Sequence, residues 1–273
     1  MNSEITIIKP RTGWGSIDLA EVWQYRELLT ALAMRDIKVR YKQTVLGIAW
    51  AVIQPLTAMI IFTLIFGRLA KIPSDGLPYP VFVFSGLLAW TFFSTALSTG
   101  GASLLSAGSM ISKVYFPRII VPLASIGVGI VDFCVSTVIL LLLMLYYGVA
   151  LSWQILLFPV FFFGLALTAV GFCAWLSAIT VIYRDFRFVI PFMVQIWMYV
   201  TPVIYPVSFI PENWRWLIYL NPILGWVEGI RSAFLNQPVN WLSVAVSCVL
   251  TVLILAIGIR YFNKAERRFA DVI

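Results

Sequence analysis

The stretch Arg35-Asp36-Ile37-Lys38-Val39-Arg40-Tyr41-Lys42-Gln43-Thr44-Val45-Leu46-Gly47-Ile48-Ala49-Trp50-Ala51-Val52-Ile53-Gln54-Pro55 decides how the rest of the chain is read. Its first half is basic, and its second half opens an apolar run that continues through Phe66 without a charge. Lys and Arg in short flanking segments are held on the side of the anionic cytoplasmic leaflet. The junction therefore reads as a cytoplasmic anchor and sets the face on which every later loop lies. Within the run, Gln43, Gly47, Trp50, Gln54 and Thr57 recur at helical spacing on one face, while Val45, Ile48, Ala49, Val52, Ile53 and Ile60 cover the rest. Such a stripe suits packing against neighbouring helices or the lining of a water-accessible path. Spacing alone leaves both open.

Composition agrees with the anchor. Of 273 residues, 61% are hydrophobic and 11% charged, with a mean hydropathy of +0.95. A soluble domain carries roughly 25% charged residues, so the expected fold is an all-α polytopic membrane protein. The net charge is +7, from 19 Lys and Arg against 12 Asp and Glu. With the amino terminus inside and six spans, only Arg68, Lys71, Arg215 and Arg231 fall on the outer side. That asymmetry orients the chain and removes any need for a nucleic-acid partner. Histidine is absent, which excludes a His proton relay or catalytic base. Cys134, Cys173 and Cys248 lie in apolar runs without metal-ligand spacing and read as small hydrophobes. The first ten residues hold no signal-peptide core, so the first span is expected to be an uncleaved anchor.

Six spans are expected, at about 45–66, 81–97, 119–147, 155–182, 188–205 and 241–261. A polar lead-in at 1–17 precedes an amphipathic interface helix that Asp18 caps, with Val22, Tyr25, Leu29 and Leu32 opposite Gln24, Glu27, Arg35 and Lys38. That helix is either a simple anchor or a docking surface for a cytoplasmic partner. The second span is aromatic, and the small, Ser-rich inner segment from Gly100 to Arg118 follows it. The third is over-long and carries Asp132, whose carboxylate must face protein or water. No basic residue lies within a turn of it, so a hydrogen-bonded structural role is expected. The fifth is interrupted by Pro191, Pro202 and Pro206, and places Phe188, Phe192, Gln195 and Tyr199 on one face. Between 206 and 240, two pieces too short to cross read as re-entrant outer half-helices, which survive at membrane depth only inside protein or along a cavity. The whole is expected to be one domain over 1–273: a lead-in and interface helix at 1–44, a bundle at 45–261 and a basic tail at 262–273. No phosphate loop, His-Glu-x-x-His or Gly-x-Ser-x-Gly motif occurs, so energy for uphill transport must come from another chain or an ion gradient.

Several stretches together resemble the ATP-binding-cassette permeases that export polysaccharides. They are Trp23-Gln24-Tyr25-Arg26-Glu27-Leu28-Leu29, the opening stretch through Trp50, Ser85-Gly86-Leu87-Leu88-Ala89-Trp90 with Phe92-Phe93, Lys113-Val114-Tyr115-Phe116-Pro117-Arg118, Tyr183-Arg184-Asp185, Thr201-Pro202-Val203-Ile204-Tyr205 and Asn221-Pro222. The likeness covers nearly the whole chain in order. It implies a permease homodimer with two copies of a separate ATPase subunit, ATP and Mg residing on that partner and no cofactor on this chain. It implies a bacterial inner-membrane location, both termini cytoplasmic, and a lipid-linked, O-antigen-like polysaccharide substrate. Teichoic acid, capsule or a small hydrophobic drug are the alternative cargoes. A membrane enzyme acting on lipid-linked sugars is a distant alternative, since Asp75, Glu212 and Glu228 stand apart in sequence. In such permeases the first and fifth spans line a channel, which implies Trp50, Gln54, Thr57, Phe188, Phe192, Gln195 and Tyr199 as its lining, and the aromatic residues Phe82, Trp90 and Phe93 of the second span are assigned to it with them. ATPase coupling falls to Trp23, Tyr25, Arg26 and Glu27 with Gly108, Met110, Ile111 and Lys113, in a coupling helix at 103–114. An outer gate falls to Trp214, Trp216, Tyr219 and Glu228.

Overall fold

Two helices precede the first apolar run. In a computed structural model, which describes residues 19–42, 47, 49–267 and 269, α1 (Leu19–Gln24) and α2 (Arg26–Lys42) are separated only at Tyr25. The lead-in at 1–17, the Asp18 cap, Gln43 of the polar stripe and the end of the basic tail lie outside the described residues. The apolar spacing explains how the pair sits. Val22, Tyr25, Leu29 and Leu32 pack into a cluster with Leu104, Ile120 and Phe262, while Gln24, Glu27, Arg35 and Lys38 face outward. The interface helix runs about two and a half turns longer than its apolar stripe suggests, because nothing in 34–42 breaks a helix. Gly47, at φ +49° in the left-handed region that glycine tolerates without a Cβ clash, stands between α2 and the first apolar helix.

The elements that follow are α3 (Ala49–Phe62), continued by a π-helical stretch at Thr63–Leu69, then α4 (Tyr79–Ser106), α5 (Gly108–Ile111), α6 (Ile120–Tyr147), α7 (Phe158–Ile182, entered through a 3-10 turn at Trp153–Leu157), α8 (Phe186–Val200), α9 (Glu212–Tyr219), α10 (Leu224–Leu235) and α11 (Trp241–Glu266). The fold is all-α, with no strand among the described residues. Five helices are long and apolar enough to cross a membrane: Ala49–Leu69, Tyr79–Ser106, Ile120–Tyr147, Trp153–Ile182 and Trp241–Glu266. The remaining expected span is α8, whose 15 residues reach only about 22 Å at 1.5 Å per residue, against ~30 Å of hydrocarbon. Its shortness has a cause: Thr201 turns extended and Pro202 follows, so the helix cannot continue.

Helix α4 is the hub. It packs on α3, α6, α7, α8 and α10, and 78% of its apolar stretch is buried, against 11% for the α3 span. Phe92 meets Phe133 and Phe162 with ring centroids 5.8 and 5.0 Å away, and Phe93 meets Phe172 and Trp197 at 5.9 and 5.3 Å. The sequence places the end of this span near Leu97, with Gly100-Gly101 opening an inner segment. Both glycines are instead inside α4. A Cβ at Gly100 would sit 2.5 Å from the Cys173 sulfur, so the glycine is where α4 and α7 approach each other. The expected coupling helix is accordingly shorter, with α4 taking 103–106 and α5 holding only Gly108–Ile111.

Candidate functional site

Helices α3 and α8 are held on one side only. α3 buries Ala51, Pro55 and Met59, and leaves Trp50 (51% exposed), Gln54, Thr57 and Ile60 open. α8 buries Ile190 and Val194, and leaves Phe188, Phe192, Gln195 and Tyr199 open. Both polar–aromatic stripes read from the sequence are thus presented outward. Their chemistry separates them from a lipid-facing surface. The outward residues of α11 include Val249, Val252, Leu253 and Ile257, which hydrocarbon solvates well. An amide left without hydrogen bonds in hydrocarbon costs roughly 4–8 kcal/mol relative to water. Gln54 and Gln195 have no hydrogen-bond partner among the described residues, so these faces require protein or water against them.

Three residues assigned to the lining do not join this surface. Phe82, Trp90 and Phe93 are 1%, 4% and 0% exposed, enclosed by the packing around α4 within this chain. The aromatic content of the second span is core. What α4 leaves partly open is a face of small residues, Thr91, Thr95, Ser98 and Ala102, spaced three and four apart. That hydroxyl-bearing face was missed in the sequence because the bulky residues of the same span dominate its reading.

At the end of the bundle where the basic residues gather, α2 lies against α6, with Ala33 against Gly127. Its last turn delivers two groups to Asp132. Arg40 forms an ion pair with the carboxylate at 2.9 Å, and the Tyr41 hydroxyl donates a hydrogen bond to it. Burial, with the carboxylate adjacent, pushes the Tyr41 phenol above its ordinary range, so it stays a proton donor. The Asp132 role is therefore structural, as the sequence suggested, but it includes a salt bridge from 92 positions earlier that no local pattern announces. The coupling candidates lie toward the other end of α2, roughly 20 Å along the helix from this tie. Trp23 is 69% exposed with the Arg26 guanidinium 5.5 Å from its ring, and Glu27 is exposed. Tyr25 is half-buried in the same apolar cluster as Met110 and Ile111. Ile111 is 7% exposed, a core residue rather than a contact surface, whereas Lys113, Val114 and Tyr115 project beside the half-buried Gly108.

At the opposite end, α9 is amphipathic and open, with Trp214 and Trp216 exposed and the Tyr219 hydroxyl accepting from Asn240 at 3.0 Å. Helix α10 is buried along nearly all its length. Glu228 therefore faces a partly enclosed polar space rather than an open gate. Arg231, counted from sequence as an outer-loop charge, is interior at 6% exposure. It donates to the Pro202 and Val203 carbonyls at 3.2 and 3.0 Å, satisfying backbone that the α8 break leaves without helical partners. A second tie fixes the same break. Trp197 Nε1 donates to Asn221 Oδ1 at 3.2 Å, and Asn221 Nδ2 donates to the Thr201 hydroxyl at 2.9 Å. Two motifs quoted separately from the sequence, at Thr201-Pro202 and Asn221-Pro222, thus meet in one network.

Residues 27–235 match the ABC-2 type transporter family. The chain belongs to that family. Among similar proteins, the O-antigen export system permease protein RfbA of Myxococcus xanthus is 31% identical over 264 residues, covering 93% of this chain and 98% of its own. The protein of the same description from Klebsiella pneumoniae is 26% identical over 249 residues, 90% of this chain and 95% of its own. The polysialic acid transport protein KpsM of Escherichia coli is 23% identical over 252 residues, 86% and 92%. This ABC-2 family chain is a membrane protein built from apolar helices. Among its described residues no group of three or more Cys, Asp or Glu stands ready to hold a metal ion.

Proposed function

We propose that this chain is the permease subunit of an ATP-driven exporter that moves a lipid-linked, O-antigen-like polysaccharide from the cytoplasm across the bacterial inner membrane. One observation carries the reading: two weakly buried helices, α3 and α8, present aromatic rings and unpartnered amides outward. Two copies of the chain, facing each other across these surfaces, enclose a path that is neither lipid-like nor charged. Similarity to O-antigen export permeases over nine-tenths of the chain supports the cargo. Six helices cross in this arrangement, with both termini cytoplasmic, α8 completing its crossing through the turns and bends at 201–206.

The lining acts by two complementary contacts. The amides of Gln54 and Gln195 and the hydroxyl of Thr57 exchange hydrogen bonds with sugar hydroxyls. The rings of Trp50, Phe188, Phe192 and Tyr199 take the apolar C–H faces of the same sugars. Neither contact demands a fixed pattern, so a polymer slides rather than lodges. Thr91, Thr95 and Ser98 form the floor between the stripes, and Phe82, Trp90 and Phe93 stiffen the wall behind it. The ATPase subunits, two per dimer, carry ATP and Mg. They push on the exposed basic-end surface at Trp23, Arg26, Glu27, Met110 and Lys113.

Loss of the gene is expected to remove a surface glycan and leave it in the cytoplasm. Gln54→Cys and Gln195→Cys proteins should react with water-soluble thiol reagents while export runs. A Gln54→Leu/Gln195→Leu protein should assemble its dimer yet slow export. Silent cysteines together with normal export by the leucine variant would refute the path.

A further inference from the structure

At the end of the bundle away from the basic residues, α10, the loop before α4 and the segment after α8 enclose a cavity of about 120 Å³. A single water needs ~10–15 Å³ on the same scale, so the space has room for something larger. Its polar side chains come from Asp75, Glu228, Arg231, Ser232, Gln237 and Asn240, and Phe82 forms part of one wall. Arg231 is 6% exposed and stands 4.0 Å from the Phe82 ring centroid. Its two backbone hydrogen bonds use Nη2 and leave Nε buried without a partner. Glu228 keeps one buried carboxylate oxygen without a partner. Asp75 reaches the rim, where it accepts from the Ser208 hydroxyl at 2.8 Å. Glu228 and Arg231, each with one side-chain atom buried and unpartnered, therefore line one space, and buried groups of this kind ordinarily find partners.

The chemistry of the lining selects the partner. A metal cation would meet the Arg231 guanidinium. A phosphate or sulfate would meet the Asp75 and Glu228 carboxylates. An apolar group would add no partner for the polar side chains, and would leave the unpaired atoms of Glu228 and Arg231 as they are. A neutral polyhydroxylated ligand fits, because each hydroxyl both donates and accepts: one answers Glu228, another answers Arg231, and Gln237 serves either. We infer that this cavity is a binding site for one neutral sugar residue, on the outer side of the exporter. The inference rests on the export reading above for the source of the sugar, a passing unit of the glycan. Its role is to hold the emerging chain at the far end of the path while the stripes behind it reset.

The test uses the purified full-length permease with its ATPase partner in detergent, and neutral methyl hexopyranosides as probes. Saturation-transfer NMR should show protein-to-sugar transfer with a Kd in the millimolar range, about −4 kcal/mol. Gln237→Leu, on the cavity wall and outside every tie described, should weaken it at least tenfold with unchanged thermal unfolding. Asp75→Asn should weaken it less, since the amide can still accept. If Gln237→Leu does not accumulate, Gln237→Ser reads the same wall. No transfer to the unaltered protein, or full transfer in both variants, overturns the assignment, as does saturable binding of inorganic phosphate or Mg²⁺ in place of sugar. The two readings fail separately. A gene deletion that leaves the surface glycan unchanged sinks the exporter reading, whereas a deletion that abolishes it, with hexosides silent, sinks only the cavity.

Discussion

Removing Arg40 should destabilise the protein more than removing the carboxylate it pairs with. Asp132 is 10% exposed at its side chain and Arg40 is 38% exposed. In Arg40→Met the carboxylate stays among apolar helices with only the Tyr41 hydroxyl to solvate it. Breaking a buried pair from one side costs about 3–5 kcal/mol, and the surviving hydrogen bond argues for the lower end, about 3 kcal/mol. In Asp132→Leu the guanidinium turns to water through its open side, so the half-exposed ion pair costs about 1 kcal/mol, and the orphaned Tyr41 hydroxyl adds about 1 kcal/mol, about 2 kcal/mol together. The double variant buries no charge and orphans only the Tyr41 hydroxyl, about 1 kcal/mol. The singles therefore sum to about 5 kcal/mol against about 1 kcal/mol for the double. The coupling of about 4 kcal/mol lies just above the range usual for contacting residues, as expected for a charged pair. Thermal unfolding of the detergent-solubilised chain measures it at one scan rate. At about 2–4 °C per kcal/mol for a chain this long, Arg40→Met should unfold about 6–12 °C early and the double variant within about 4 °C of the parent. Additive losses, or a milder effect from Arg40→Met than from Asp132→Leu, would refute the reasoning.

Three further outcomes follow from burial. Phe93→Ala should cost about 3–5 kcal/mol and lower accumulation, whereas Tyr199→Ala, on an open face, should leave unfolding nearly unchanged and slow export; thermal scans with a surface-glycan assay tell them apart. A charge at Met110, half-buried at the basic end, should leave the fold intact and uncouple ATP hydrolysis from export, while Ile111→Glu, in the core, should fail to accumulate. Both are read by ATPase rate against glycan exported. The purified chain by itself should show no ATP hydrolysis, and activity should require adding a separate nucleotide-binding subunit; turnover by this chain alone would overturn that division of labour.

Periodicity carried much of what could be foreseen. The stripe Val22, Tyr25, Leu29 and Leu32 lies where its 3.6-residue spacing puts it, because α2 rests on the bundle along one face only. The faces of α3 and α8 were legible for the same reason. α4 was not: a helix covered on nearly every side has no apolar moment to read, so the aromatic residues Phe82, Trp90 and Phe93 suggested a lining when they are core. The Arg40–Asp132 pair and the Trp197–Asn221–Thr201 network join residues 92, 24 and 20 positions apart. Such partners follow from tertiary packing, and the only local sign of them is a costly polar group in an apolar run. Helix ends were misplaced where glycine served close packing instead of a break, as at Gly100.

The unequal burial of the helices also says where motion is cheap. Moving α4 would break its packing on five neighbours at once, so a push at the basic end cannot be absorbed there without loss of the core. α3 buries three residues and α8 two, so each can shift against α4 with little apolar surface lost. α8 is nevertheless pinned at its far end, where Arg231 holds the Pro202 and Val203 carbonyls and Asn221 holds the Thr201 hydroxyl. α3 has a different restraint: the chain before it is pinned where Arg40 and Tyr41 hold Asp132, and Gly47 stands between that tie and the helix. An exporter driven from α1, α2 and α5 would then pivot α3 about its basic end and α8 about its far end. Two stripes that pivot from opposite ends cannot both swing open at the same end, so the path does not part along its whole length at once. That suits the passage of a polymer, which must be advanced without the path ever opening wide to water.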